Sequence, residues 1–149
     1  SYGSDMILPL LREPGKEAEA NMYLATNGLN THKGLIFSMG LIAACLVRLA
    51  KKLDRKPVWA DRQALVDLIR LNTKGLTNEL QSSDTATNGL LVYQTYGLKG
   101  IRQEAEEGYP AIFKYGLPKL LEYSKIYTDQ DLPILMTLLE LILVTSDTN

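Results

Sequence analysis

The 149 residues contain one cysteine and one histidine. A single thiol, Cys45, cannot form an internal disulfide and cannot build a cysteine zinc cluster, and it fits a reducing compartment. A single imidazole, His32, excludes any metal site made of several histidines. Charge of one sign is also missing: 16 basic and 17 acidic side chains leave a net charge of -1. Without a basic excess there is no counterion-releasing surface for non-specific nucleic-acid binding. The sequence has no Gly-x-Gly-x-x-Gly and no P-loop. No sustained period-two alternation argues for a sheet, and no repeat or low-complexity tract breaks the chain. No N-terminal stretch reads as a signal peptide.

What is present is apolar and helical. Hydrophobic residues make up 46% of the chain, so it is expected to fold around a core as one domain over residues 1–149. The fold class is all-α, six or seven helices around central buried helices. The first helix is expected over Gly15–Asn27, stopped by Gly28. The second starts at Thr31 or His32, capped by Asn30 or Thr31, and runs to Leu53 with a stripe of Leu35, Ile36, Met39, Ile42, Leu46, Leu49 and Leu53. Its run from Gly34 to Val47 is 14 residues without a charge. That falls short of the ~20 a membrane span needs, so the run is expected to be largely buried inside a bundle. Asp61 is expected to cap a third helix. A further segment is expected from Ser83 to Tyr96, another from Gly100. A last helix is expected from Asp131 to Thr145, preceded by a capping sequence at Thr128–Asp131.

Three places could carry chemistry. Asn30-Thr31-His32-Lys33 stands at a helix start, where free N–H groups, the positive end of the dipole and an ammonium group suit a phosphate. The His32 ring is expected to point inward beside Ile36 and Met39; the plainer alternative is a histidine at the edge of the core with Lys33 simply solvated. The run from Arg102 to Tyr109 contains Glu104, Glu106 and Glu107. Glu106 and Glu107 read as a solvated acidic face, with Arg102 and Glu106 as a pair at i,i+4. Glu104 faces Gly108, which leaves room beside the helix. Asp147, at the end of an apolar helix, is a candidate Mg²⁺ ligand, since hard cations prefer oxygen. Glu140, seven residues earlier, is expected to be paired or at the rim.

Three motifs in order carry a resemblance. "EAEANMYLATNGLNTHKGLIFS", Glu17–Ser38, resembles the Glu-Ala-Glu-x-x-Met helix and the Gly-Val-Asn-Thr-His-Lys-Gly signature of the CitG family, the triphosphoribosyl-dephospho-CoA synthases. Gly97–Ala105, "GLKGIRQEA", resembles that family's Gly-x-x-Gly-x-Arg-Gly-Glu-Ala stretch, with Gln103 in place of glycine. Leu138–Asn149 resembles its Leu-Leu helix ending in Asp-Thr-Asn. The resemblance implies a transferase that moves the triphosphoribosyl group of ATP to the 2′-hydroxyl of 3′-dephospho-CoA and releases adenine. The product is the prosthetic-group precursor for the acyl carrier protein of citrate lyase or malonate decarboxylase, passed on by an acyl carrier protein transferase system.

The resemblance further implies His32, Glu104 and Asp147 as catalytic residues. It implies Asn30, Thr31, Lys33 and Arg102 as substrate-binding residues, and Glu104 and Asp147 as holders of Mg²⁺. Lys33, Glu104 and Asp147 are expected to converge on one cleft. Which carboxylate is base and which ligand stays open. The setting is expected to be cytoplasmic, with no nucleic acid, no membrane and a possible homo-oligomer. The family has a Pro-Lys-Pro-Gly segment before this region and an Arg-Gly-Gly stretch after it, so the chain is expected to be the C-terminal or middle part of a longer synthase. Two other readings remain: a Mg²⁺-dependent hydrolase of nucleotide-sugar type, and a non-catalytic helical scaffold.

Overall fold

The computed structural model describes residues 6–78, 95, 97 and 100–145. Among these are six α-helices and no strand, so the all-α expectation holds. The chain divides into two compact units, residues 1–74 and 75–149.

In the first unit α1 (Ile7–Ala25), α2 (Lys33–Leu53) and α3 (Arg62–Thr73) pack against one another, with a 3₁₀ turn at Trp59–Asp61. Its core is Ile7, Met22, Leu41, Cys45, Leu49, Leu65, Val66 and Ile69. α1 begins eight residues earlier than expected and runs through Pro14. A proline inside a helix cannot donate to the carbonyl four residues back. That carbonyl belongs to Leu10, which is 73% exposed, so water can satisfy it. The N-terminal end of α1 is tied down by α3: the Ile7 N–H donates to Asn72 Oδ1 at 2.9 Å. The C-terminal end stops as expected, with Asn27 at φ 53° and Gly28 at φ 84°.

α2 runs close to its expected bounds, but its burial differs. Only Ser38, Leu41, Cys45 and Leu49 are buried, one stripe at helical spacing. Leu35, Met39, Leu46 and Val47 stand 55, 60, 37 and 57% exposed. The expectation that Gly34–Val47 is largely buried is therefore corrected. Almost every position in this run is apolar or small, so the pattern does not choose a face; the neighbours do, and α1 and α3 cover one side. By length and composition alone α2 could cross a membrane. Burial raises the pKa of Cys45 to about 11, with Arg48 pulling the other way. Asp61 is also corrected. It makes no side-chain cap to α3; it pairs with Arg55 at 2.7 and 2.9 Å and accepts the Val58 N–H at 2.8 Å. Those contacts, the arginine first, hold its carboxyl down at about 2.

The second unit contains a 3₁₀ turn at Leu76–Asn78 and α4 (Gly100–Glu106). A π-helical segment (Ala111–Gly116), α5 (Leu117–Ile126) and α6 (Leu132–Val144) follow. α5, α6 and the π segment pack together. Gly116 sits where these elements approach closely: a Cβ would lie 3.2 Å from the Ala111 carbonyl oxygen and 3.4 Å from the Leu141 side chain, so a larger residue would press on both. α6 is capped by Asp129, whose Oδ1 accepts the N–H groups of Asp131 and Leu132 at 2.8 and 3.0 Å. Glu140 is paired as expected, accepting the Tyr123 hydroxyl at 2.8 Å. The segment expected over Ser83–Tyr96 lies almost wholly outside the described residues.

Candidate functional site

The corner between α1 and α2 gathers the first set of residues. The chain leaves α1 through Asn27 and Gly28 and re-enters a helix at Lys33. The N-cap, expected at Asn30 or Thr31, is His32, whose side chain makes no cap. Asn30 Oδ1 instead accepts the Lys33 N–H at 3.2 Å, and Thr31 shares a 2.6 Å hydrogen bond with His32 Nδ1. His32 does not point into the core as expected: it is exposed, and so is Met39. Its backbone N–H reaches the Met22 Sδ at 3.1 Å, which ties the loop to α1 and leaves the ring outside. Lys33 Nζ lies 2.9 Å from Glu19 Oε2. The two side chains are 48 and 28% exposed, so a polyanion can reach the ammonium group.

Glu19 is a member of the corner that reading along the chain did not single out. Its signal lay in the Glu17-Ala18-Glu19 pattern, but only the turn between helices brings Glu19 beside Lys33. An open ion pair of this kind adds at most about 1 kcal/mol of stability, so the lysine can exchange partners. The free N–H groups of the first helical turn, the helix dipole and Lys33 make the corner suited to phosphate oxygens.

The second set lies on α4, in the other unit. Arg102 is half-buried on this helix. Glu104 is half-buried too. The helix ends at Glu106, and Gly108 at φ 76° and Tyr109 at φ 55° interrupt it before helical backbone resumes at Pro110. A left-handed tyrosine costs about 1–2 kcal/mol. Tyr109 is held there by burial to 1% exposure and by its N–H, which donates to the Glu104 carbonyl at 2.6 Å. This break brings the Ala111 N–H to Glu104 Oε2 at 3.2 Å. Burial pushes the Glu104 carboxyl up and the Glu107 charge adds to this; the Ala111 N–H only partly opposes them.

Glu106, expected on a solvated face and paired with Arg102, does something else. Its carboxylate accepts the Thr77 hydroxyl and the N–H groups of Thr77, Gly75 and Leu76, capping the 3₁₀ turn. Burial alone would raise its pKa, but the four donors outweigh it and the group is lowered. Glu107 accepts from Gln103 Nε2 at 2.7 Å.

The candidate site residues thus fall in two units: Asn30, Thr31, His32 and Lys33 in the first, Arg102 and Glu104 in the second; of the residues expected in one cleft, Lys33 and Glu104 belong to different units. Asp147 lies outside the described residues. Among the described residues no three His, Cys, Asp or Glu side chains gather as a ready metal cluster.

An all-α chain with this signature corner and this acidic helix matches, over residues 4–149, the family described as CitG: ATP:dephospho-CoA triphosphoribosyl transferase. The chain belongs to that family. A protein of Citrobacter koseri, called a probable 2-(5''-triphosphoribosyl)-3'-dephosphocoenzyme-A synthase, is 40% identical over 148 residues, covering 98% of this chain and 48% of the relative. Protein CitXG of Haemophilus influenzae is 39% identical over 150 residues, covering 97% of this chain and 32% of the relative. The chain spans about half the length of the first and about a third of the second. No solved structure matches it.

Proposed function

We propose that the chain acts as part of a transferase that moves the triphosphoribosyl group of ATP onto the 2′-hydroxyl of 3′-dephospho-CoA and releases adenine. The family match over residues 4–149 carries this reading. The open corner at Lys33 and the raised carboxyl at Glu104 support it. In the reaction the ribose C1–N9 bond of ATP breaks and a bond forms between C1 and the acceptor 2′-oxygen. The hydroxyl proton passes to a base, and adenine leaves with a proton on its ring. Such a transfer runs through an oxocarbenium-like state, as glycosidic cleavage does, so positioning and electrostatics carry most of the catalysis.

Lys33, with Asn30 and Thr31 fixing the corner, would bind the triphosphate, and Arg102 is the substrate-binding cation of the second unit. His32, exposed beside the helix entry, is available to a phosphate or a proton. Glu104 suits the proton-handling role: a half-buried carboxyl with a raised pKa can take the 2′-hydroxyl proton with a useful driving force. Mg²⁺ is bound by one or two carboxylates together with substrate phosphates rather than by a full protein cage. With Glu104 as the base, Asp147 is the oxygen donor that would hold it, the two roles being exchanged if Asp147 is the base, and when bound it would neutralise charge on the triphosphate. The product would serve an acyl carrier protein of the citrate lyase or malonate decarboxylase type in the cytoplasm.

The test is chromatography of the products formed from ATP and 3′-dephospho-CoA by the complete enzyme. Adenine in step with a triphosphoribosyl adduct is expected, and Asp147→Asn should nearly abolish it. Free ribose triphosphate would favour the hydrolase reading. ADP or AMP in place of adenine would overturn the reaction.

A further inference from the structure

α6 turns the usual amphipathic rule inside out. Its face toward α5 and the π segment carries Pro133, Thr137 and Glu140, of which Thr137 is 7% exposed and bonded to the Pro133 carbonyl at 2.6 Å. Glu140 on the same side holds the Tyr123 hydroxyl. The opposite face is Leu135, Leu138, Leu139 and Ile142, spaced i, i+3, i+4, i+7, and these stand 54, 51, 58 and 70% exposed. A helix at a protein surface keeps its polar residues outward, and one that is apolar all round is buried on all sides. Here the polar residues Thr137 and Glu140 are inside, beside Leu141, and the exposed positions from Leu132 to Val144 are all apolar. A continuous apolar stripe of this kind marks a surface that another element covers.

We infer that this stripe seats polypeptide of the kind that the Citrobacter koseri synthase carries outside the stretch matched by this chain, docking an apolar helix face along α6. Length argues for this occupant: the matched stretch is 48% of that relative, so about as much chain again remains to cover α6. A membrane span does not fit, because 13 residues are too few to cross a bilayer, which takes ~20. The packing mode is helix on helix, with Leu135, Leu138, Leu139 and Ile142 as the ridge that enters the partner's groove. The inference concerns assembly and stands whether or not the reaction proposed above is correct.

The experiment is co-expression of this chain with the unmatched part of the Citrobacter koseri synthase, followed by size-exclusion chromatography with light scattering. A one-to-one complex is expected. Leu138→Glu and Ile142→Glu should each weaken it at least about 30-fold, the effect of losing a central contact residue. Both side chains are exposed in the chain alone, so its circular dichroism should not change. Lys125→Glu, on α5, should leave the complex intact. A chain that stays alone, a complex indifferent to both α6 substitutions, or assembly of the chain only with a second copy of itself would overturn the inference.

Discussion

Glu104 and Glu106 lie two residues apart on the same short helix and are held in opposite ways. Glu106 meets four donors and its pKa falls; Glu104 meets one donor and its pKa rises. Both are partly removed from water. The difference lies in how many N–H and O–H groups point at each carboxylate. Glu106 is thereby committed to the turn at Leu76–Asn78, and Glu104 is left able to take a proton. The corner at Lys33 is a third case: its charge is paired with Glu19, but both partners remain accessible.

The comparison can be broken or sharpened by substitution. The largest effect is expected for Glu104→Gln. It keeps an oxygen for the Ala111 N–H but cannot handle a proton, so adenine release by the complete enzyme should fall about 10²–10⁴-fold, as for loss of a general base. Unchanged turnover would remove Glu104 from the chemistry. Next is Lys33→Ala, which removes one charge-assisted contact and should weaken ATP binding by about 1.5–3 kcal/mol, read by calorimetry. Glu106→Ala leaves the donors of Gly75, Leu76 and Thr77 without their acceptor and should lower stability by about 1–3 kcal/mol in urea. Its pH dependence has a definite sign. Glu106 is depressed in the fold, so its contribution is complete above the unfolded carboxyl pKa of about 4.3 and is lost as pH falls through the lower folded value. Glu104 is raised, so its fold-favouring effect is complete below about 4.3 and is lost as pH rises through the higher folded value. The smallest effect follows: Glu104→Gln should leave stability at neutral pH unchanged or slightly higher, and a large loss there would make Glu104 a structural residue like Glu106.

Local signals in the sequence were reliable where a short-range rule applies. Gly28 follows the end of α1, and Asn30 and Asp129 each accept the first N–H of the helix after them, although the capping box expected of Thr128 and Asp131 does not form. Glu140 finds a partner as its place in an apolar helix demands. Burial of α2 and α6 was not legible, because a helix apolar on every side gives no preferred face until its neighbours are known. The Lys33–Glu19 pair and the Glu106 cap depend on turns that bring separate elements together. The inward-facing His32 failed because the ring takes its direction from the loop hydrogen bonds at Thr31 and Met22, not from helical periodicity. At Glu104 the Ala111 donor comes from the break in the helix at Gly108 and Tyr109, whose left-handed backbone no spacing along the chain announces.

A carbon-13 NMR titration of the glutamate side-chain carboxyls in this chain, with Glu104→Gln and Glu106→Gln to assign the signals, tests the central contrast directly. The account predicts that Glu104 titrates above the ordinary glutamate value of about 4.3 and Glu106 below it. The reverse order, or both groups titrating at the ordinary value, would contradict it.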